Sequence, residues 1–466
     1  MYSLIIRRLT ALTLVLSLAL LVACGSPNNE AASGETSLAP SSSAAESQAA
    51  SGGSAADELG KNGPITIDFW HIQATIYGEA IKEMVAEFNK EYEGKIIVKE
   101  TFQGTYADLN KKIRAALQGG GLPTVAMAYE SDTLEYMKAD QIVPLDSFIA
   151  DPANGLSQAD LDDIMPGVLA RQRIPAYEGK TMSWPHGNSA MGVYYNIDLL
   201  QKAGIEKPAQ TWKEFEQQAI TIAEKTGVPA LVIGNGTGSA TYGGTFRTWL
   251  RTMGVDPIAA DVSSVNLDNP EAIELATMMK NLLDKKAIVM AEDTEQEFTN
   301  GRAAMEIGTT ARTSSKLELV ADKFKWGVTL IPQGDASSQK TELYGGNQVL
   351  FKSTPEQELA GWIFLKYFAG SKAQAIYAAK TGYFPATKSA LETDLLKTNY
   401  TDNPQKQQAF DEVFPYATID VPTAARSSIE EAVNFAVASV LAGKASPADA
   451  LKKAQADATK ALADFK

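Results

Sequence analysis

Apolar positions near the start of the globular part alternate between the period of a strand and that of a helix. The run ITIDFW at 65–70 predicts a strand. Apolar residues at 81, 84, 85 and 88 then follow the spacing of one buried helix face. A second strand is predicted over 95–102, and a second helix from about 106 to the glycine run at 119–121. Residues 124–129 predict a third strand.

This alternation of strands and helices predicts a mostly parallel sheet covered on both faces. Ligands gather at the carboxyl ends of the strands in such sheets. A comparable unit recurs downstream, where Thr211 and Glu214 form a predicted capping box and 229–233 reads as the following strand. A last helix is predicted from about Pro447. Two α/β lobes that share one chain are therefore expected.

The N-terminal residues have the layout of an export signal. Arg7 and Arg8 precede an apolar run over 9–23, which ends at Cys24. The motif LVAC at 21–24 resembles the lipobox of bacterial lipoproteins, in which the cysteine carries lipid. We therefore predict a signal peptide over 1–23, lipidation of Cys24 and a flexible tether over 24–62 rich in Ser, Ala and Gly. The predicted location is the cell envelope, at the outer face of the cytoplasmic membrane or in the periplasm.

Composition excludes several classes of partner. The formal charge of −14 disfavours nucleic acid, because phosphate backbones are bound by an excess of Lys and Arg. Cys24 is the only cysteine, so no disulfide forms within the mature chain. The roughly 400 residues after the tether are too many for a single core and suit two lobes.

Several phrases of the chain resemble extracellular solute-binding proteins of ABC importers, in the maltose-binding class. They are GVYYNIDLLQKAGI, TWKEFEQQA, FTNGRAAMEIG, KWGVTLIP and YGGNQVLFKSTPEQELAGWIFLKYF, in that order. The resemblance implies a two-lobed clamp of mixed sheets flanked by helices, with hinge crossovers near 187–191 and 344–347. We assign residues 63–187 plus 346–395 to lobe I and residues 188–345 plus 396–466 to lobe II.

Other phrases resemble the glycerol-3-phosphate-binding subgroup: FWH at 69–71, GTYADL at 104–109, AYES at 128–131 and KTGYFPATKSA at 380–390. This resemblance implies that Tyr106 and Glu130 hold glycerol hydroxyls and that Arg426 contacts the phosphate. Tyr383 and Gly346 match the tyrosine and glycine of two further subgroup phrases. The candidate ligand-binding residues are Trp70, His71, Tyr106, Glu130, Ser131, His186, Asn188, Ser189, Tyr242, Gly346, Asn347, Tyr383 and Arg426.

The chain also departs from the subgroup. The loop at 234–244 lacks the two tryptophans of the subgroup and has Tyr242 as its aromatic residue, and His186 is added before the motif GNS at 187–189. The ligand therefore stays open. Glycerol-3-phosphate or a glycerophosphodiester is favoured, and an oligosaccharide or monosaccharide is the alternative.

Other functions fit less well. The glycines at 234, 236 and 238 lack the spacing of a dinucleotide loop. Glu130 and Asp132 are too close in sequence to flank a glycosidic bond from opposite sides. We expect a monomer with no enzymatic activity, no cofactor and no metal, with the permease as partner and the membrane reached through the lipid. A sensor lipoprotein that does not transport, or a secreted glycosidase, is the more distant alternative.

The segment at 380–390 joins two predicted helices, and its two aromatic residues could lie either in the core or in the cleft. We predict that Phe384 packs into the lobe and that Tyr383 faces the ligand.

Overall fold

The fold is taken from a computed structural model of the chain, which describes residues 59–174, 177–237 and 242–465. The predicted signal peptide, Cys24 and most of the tether lie outside these residues. The strands within these ranges are β1 (Ile65–His71), β2 (Ile96–Phe102), β3 (Val125–Ala128), β4 (Arg173–Ile174), β5 (Lys180–Thr181), β6 (Trp184–Pro185), β7 (Ser189–Asn196), β8 (Leu231–Gly234), β9 (Ile288–Ala291), β10 (Met305–Thr309), β11 (Trp326–Leu330), β12 (Thr341–Tyr344), β13 (Asn347–Leu350) and β14 (Ala417–Thr418).

Helices cover most of the remaining length. Those within the same ranges are α1 (Thr75–Glu91), α2 (Tyr106–Gly119), α3 (Glu130–Lys138), α4 (Asp146–Ile149), α5 (Gln158–Asp163), α6 (Pro166–Arg171), α7 (Ile197–Ala203), α8 (Trp212–Thr226), α9 (Gly243–Thr252), α10 (Pro270–Asp284), α11 (Thr294–Thr299), α12 (Thr313–Val320), α13 (Pro355–Phe368), α14 (Ser371–Lys380), α15 (Lys388–Leu391), α16 (Asp394–Asp402), α17 (Pro404–Glu412), α18 (Arg426–Leu441) and α19 (Pro447–Asp464). None of these helices is long and apolar enough to cross a bilayer.

Lobe I is built on a five-stranded sheet with the order β2-β1-β3-β13-β6. The first three strands are parallel, as their alternation with helices predicts, and the buried face of α1 covers them with Ile81, Met84 and Phe88. Strands β13 and β6 join antiparallel, which makes the sheet mixed. The carboxyl ends of β2 and β3 therefore lie at one edge, where α2 and α3 begin.

Lobe II is built on a seven-stranded sheet with the order β14-β12-β7-β10-β8-β9, in which β11 also pairs with β7. The predicted capping box that opens α8 is confirmed, because the backbone N–H of Glu214 donates to Thr211 Oγ1 at 3.2 Å and its carboxylate accepts from the Thr211 N–H. A separate core fills this lobe, with Trp212, Phe246 and Leu275 buried in it.

The chain crosses between the two sheets at the predicted hinges. One crossing joins β6 to β7 through 186–188, and the other joins β12 to β13 through 345–346. Helix α16 packs its Leu396 and Tyr400 against Ala375 and Ala378 of α14. The next helix, α17, lies against the lobe II sheet, where Gln408 accepts from the Val328 N–H at 3.1 Å. The exact lobe boundaries stay a prediction.

Candidate functional site

A cavity of about 840 Å³ opens between the two lobes. From lobe I, the start of α2 and the start of α3 reach it, and from lobe II it is lined by residues of β8, β10, α9 and α18. Four of the predicted site residues line it: Tyr106, Ser131, Tyr242 and Arg426. Sequence reasoning about strand ends therefore locates the lobe I wall correctly for β2 and β3.

Two stacked tyrosines form an aromatic plate on the lobe I wall. Tyr106 opens α2, whose N-terminus is held by a capping box between Thr105 and Asp108. Its ring stacks on that of Tyr129 with 3.8 Å between the centroids. Burial raises the pKa of both phenols, so their hydroxyls stay protonated and able to donate. The plate offers flat apolar area beside hydroxyl groups.

Glu130 follows this plate directly and is held by Arg171. The Nε of Arg171 donates to Glu130 Oε1, which also accepts from the Asn347 side-chain amide at 3.1 Å. Burial alone would raise the pKa of Glu130, but Arg171, a backbone N–H and Arg426 together keep the pKa below its usual value. The carboxylate is therefore ionised. No side chain among the described residues donates to its Oε2.

Arg171 was not among the predicted site residues. Its side chain is almost fully buried, its Nη2 donates to the carbonyl of Gly345 at the second hinge, and its Nη1 has no hydrogen-bond partner among the described residues. It thus ties Glu130 to the crossing between the lobes. Its sequence context, within the short helix α6, carries no signal for this role.

Arg426, the predicted phosphate contact, lies in a cluster of charges. It donates to Glu342 at 2.9 Å and to Glu430 at 3.0 Å, and lies 3.5 Å from Asp420. The fully buried Arg247 contacts the same three carboxylates. Burial would raise the pKa of Asp420, but Arg247 and then Arg426 lower it to about 2. Two arginines thus contact the same three carboxylates, and the guanidinium of Arg426 is already paired.

The two histidines and the β1 tryptophan lie away from the cavity lining. His71 is buried and its Nε2 lies 2.7 Å from Glu100 Oε2, while Trp70 is half-buried against the lobe I core. His186 is fully buried beside Gln73 and Tyr377, both at 3.3 Å from its Nε2. Burial lowers its pKa to about 3, so it is neutral.

The remaining predicted residues belong to the crossings and their surroundings. Asn188 accepts at its carbonyl from the Phe384 N–H at 2.6 Å, and Ser189 begins β7 opposite Tyr344. Asn347 holds Glu130, as described above. Gly346 packs directly against Tyr106, because a methyl group placed on it would overlap the tyrosine Oη. These residues support the site through the hinges.

The segment at 380–390 has two aromatic residues with different surroundings. Phe384 is buried against Phe414, with 4.8 Å between the ring centroids. Tyr383 is half-buried, and its ring stacks on Tyr377 at 5.2 Å and meets Tyr77 edge-on at 6.1 Å. The burial of Phe384 is confirmed, but the cluster that receives it includes Tyr194 and Val328 of the lobe II sheet and not the lobe I core. Ligand contact by Tyr383 stays a prediction.

Further lining residues lay outside the predicted set. They are polar or charged side chains that no sequence motif marks: Asn110, Lys111, Arg114, Asp132, Glu306 and Arg312. Asp132 accepts from Asn110 at 2.6 Å and from the Tyr129 N–H at 3.1 Å, and burial raises its pKa to about 6. Among the described residues, no group of three or more His, Cys, Asp or Glu side chains is placed to hold a metal ion.

Comparison with known proteins agrees with this architecture. The family model described as bacterial extracellular solute-binding protein matches residues 83–408. The sn-glycerol-3-phosphate-binding periplasmic protein UgpB of Escherichia coli K12 is 24% identical over 414 residues, which cover 84% of this chain and 90% of that protein.

Solved structures show the same fold. The cyclic alpha-maltosyl-1,6-maltose binding protein of Arthrobacter globiformis superposes with a TM-score of 0.74 at 21% identity and covers 86% of this chain and 100% of its own. UgpB of Mycobacterium tuberculosis in complex with glycerophosphocholine has a TM-score of 0.73 at 20% identity and covers 86% and 98%. Both likenesses extend over the two lobes described above.

Proposed function

Because the chain belongs to the family of bacterial extracellular solute-binding proteins, we propose that it captures a small polyol or carbohydrate between its lobes and delivers it to the permease of an ABC importer. Glycerol-3-phosphate or a glycerophosphodiester is the favoured ligand. The observation that carries the proposal is the ionised Glu130 beside the stacked rings of Tyr106 and Tyr129.

The chemistry of this wall matches a polyol. Glu130 directly precedes the lining residue Ser131, and an ionised carboxylate accepts hydroxyl groups through charge-assisted hydrogen bonds. The tyrosine plate covers C–H faces and offers phenol groups to the hydroxyls. A volume of about 840 Å³ lies toward the upper end of the range for ligand pockets, about 300–1,000 Å³. It leaves room for the second substituent of a phosphodiester or for a second sugar ring.

Relatives support both ligand classes. The Escherichia coli relative is named for sn-glycerol-3-phosphate, and the Mycobacterium tuberculosis structure holds glycerophosphocholine. The Arthrobacter globiformis neighbour is a cyclic alpha-maltosyl-1,6-maltose binding protein. An oligosaccharide or monosaccharide is therefore the alternative ligand of the same site.

Binding without catalysis fits the two carboxylates at the start of α3, of which Asp132 lines the cavity. Glu130 is held ionised by Arg171, so it is a poor general acid. Both oxygens of Asp132 accept hydrogen bonds, one from the Asn110 side chain of α2 and one from the Tyr129 N–H that precedes α3. The side chain therefore stabilises the start of α3. We accordingly propose a carrier and not a glycosidase.

The wider setting follows from the N-terminal pattern. We propose that the protein is a monomer anchored through lipid on Cys24 at the outer face of the membrane, and that the hinges at 186–188 and 345–346 close the lobes over the ligand. Closure then signals occupancy to the permease.

A thermal-shift screen of polyol phosphates, phosphodiesters, monosaccharides and oligosaccharides tests the ligand class. A ligand at 100 times its Kd adds about 2.7 kcal/mol to the free energy of unfolding. We expect glycerophosphocholine and sn-glycerol-3-phosphate to raise the melting temperature, and Glu130→Gln to reduce the shift. A shift by neutral sugars alone would move the assignment to the alternative, and no shift with any compound would refute the proposed site.

A further inference from the structure

Arg312 occupies the lobe II wall of the cavity in an unusual electrostatic setting. It ends the 3₁₀ turn that follows β10 and directly precedes α12, and its side chain is 46% exposed while it lines the cavity. The backbone of this turn is fixed from lobe I. The carbonyl of Ala311 accepts from the Tyr77 hydroxyl at 3.0 Å and from the Gly382 N–H at 3.2 Å.

The carboxylates nearest to Arg312 already have another cation. The fully buried Lys316 lies 3.0 Å from Glu295 Oε1 and 2.9 Å from Glu306 Oε2. Ser315 and Thr294 add hydroxyl donors to the same two carboxylates, at 2.6 and 3.0 Å. Lys316 is held in place by this pairing and by the Tyr194 ring, 4.2 Å below its ammonium.

The Arg312 side chain is left without a hydrogen bond in the described part of the chain, whereas its carbonyl accepts from the Ser315 hydroxyl at 3.0 Å. Its Nη1 is 3.9 Å from Glu295 Oε2 and 4.0 Å from Glu306 Oε1, which is attraction at a distance and not hydrogen bonding. The two carboxylates and the two cations, Lys316 and Arg312, balance in charge. The guanidinium N–H groups are therefore available for a ligand, at a site whose surroundings do not repel an anion.

Arg426 offers the opposite situation. Its guanidinium is paired with Glu342 and Glu430, and it lies 3.5 Å from Asp420. A phosphate brought to Arg426 would therefore compete with carboxylates that already accept from this guanidinium. Lys111, another lining cation without a carboxylate partner among the described residues, lies exposed on α2, where solvent screens its charge.

We propose that Arg312, and not Arg426, binds the anionic phosphate group of the ligand, while Glu130 receives its hydroxyls. This inference rests on the proposed function. Because Glu130 follows β3 of lobe I and Arg312 follows β10 of lobe II, one ligand bridges the two lobes, and its phosphate end draws them together. The planar guanidinium suits bidentate contact with phosphate oxygens.

Isothermal titration of the full-length protein with sn-glycerol-3-phosphate, glycerophosphocholine and maltose tests this role. We expect Arg312→Gln to raise the Kd for the two phosphate compounds about tenfold to a hundredfold, because one charge-assisted contact is lost. The loss should be larger for the monoester, which carries more charge. Arg302→Gln is the matched control, since Arg302 is a lobe II arginine of similar exposure that pairs with Glu297 and does not line the cavity.

The outcomes separate the two claims. Phosphate binding that is equally strong in Arg312→Gln and wild type overturns the role of Arg312 and leaves the proposed function standing. An equal loss in Arg302→Gln also overturns it, since the effect would then be one of overall charge. If the wild type binds maltose and neither phosphate compound, both the favoured ligand and the phosphate-binding role of Arg312 are wrong. If it binds none of the three compounds, the proposed function is refuted together with the role of Arg312. Unchanged thermal stability of Arg312→Gln excludes misfolding as the cause of a loss.

Discussion

The contact between Gly346 and Tyr106 gives a stringent test of how the hinge supports the cavity wall. A methyl group added by Gly346→Ala would overlap the Oη of Tyr106, lie 2.9 Å from Met127 Cε and lie 3.3 Å from Tyr106 Cζ. The methionine end can move aside, whereas the tyrosine ring is stacked on Tyr129. The substitution therefore pushes the aromatic plate out of position.

The expected cost follows from the overlap. Overpacking of this kind destabilises by about 1–3 kcal/mol, and the displaced ring should weaken binding of glycerophosphocholine. Tyr106→Phe removes the overlapping oxygen and leaves the nearest ring atom at 3.3 Å, a tight but tolerable distance. The double variant should therefore recover most of the lost stability, with a coupling energy of about 1–2 kcal/mol.

Urea unfolding of the wild type, both single variants and the double variant measures this coupling. Gly345→Ala is the control, because its methyl group would overlap the backbone carbonyl of Gly187 and its φ of 127° disfavours a side chain. Tyr106→Phe should not rescue it. If the cost of Gly346→Ala is the same with and without the Tyr106 hydroxyl, the proposed packing of plate on hinge is wrong.

Three further predictions concern the core, the charge cluster and the arginine of the hinge. Phe384→Ala should lower the free energy of unfolding by about 3–5 kcal/mol, whereas Tyr383→Ala should lower it less and weaken ligand binding more. Calorimetry of both variants with and without glycerophosphocholine checks this. The reverse order would assign Tyr383 to the core. Asp420 has a folded pKa of about 2 against an ordinary 3.8. Its ionised form therefore adds about 2 kcal/mol to the free energy of unfolding, which is present above about pH 4 and is lost as pH falls toward 2. The midpoint of urea unfolding should fall less steeply over that pH window in Asp420→Asn than in the wild type, and parallel profiles would contradict this. Arg171→Lys cannot reach both Glu130 and the hinge carbonyl, so urea unfolding should show a loss of about 1.5–3 kcal/mol, and an unchanged midpoint would show that the double contact contributes nothing.

The fold of lobe I was predictable where its signals are local. The pattern predicted strands at 65–70 and 95–102 and a helix from 106, against β1 at Ile65–His71, β2 at Ile96–Phe102 and α2 from Tyr106. Each of these rests on the spacing of neighbouring residues. The entry of β13 beside β3 was not predictable in this way, because the register that pairs Asn347 with Ala128 joins residues far apart in the chain.

The candidate site divides along the same line. Tyr106 and Ser131 reach the cavity because they follow parallel strands, and the position of a strand end can be read from the sequence. His186 was included because it lies beside a hinge, but its Nε2 contacts Gln73 and Tyr377 within lobe I and the residue does not line the cavity. Arg171 was missed because both of its partners, Glu130 and the Gly345 carbonyl, are distant in sequence. When all partners of a residue are distant in sequence, the neighbouring sequence does not indicate its role.

Arg426 and Arg312 of lobe II differ in how much of their surroundings the sequence shows. Arg426 has a partner that the sequence does show, since Glu430 lies four residues along the same helix at 3.0 Å, the spacing at which opposite charges pair. That spacing already argues against a free cation at position 426. For Arg312 the decisive neighbour is Lys316, also four residues along, but here the charges are alike and would repel if they stood alone. Glu295 and Glu306 make the arrangement possible, because Glu295 accepts a hydrogen bond from Lys316 and Glu306 forms an ion pair with it at 2.9 Å. Arg312 is attracted by two carboxylates without forming hydrogen bonds to them. Its N–H donors can therefore bind a ligand.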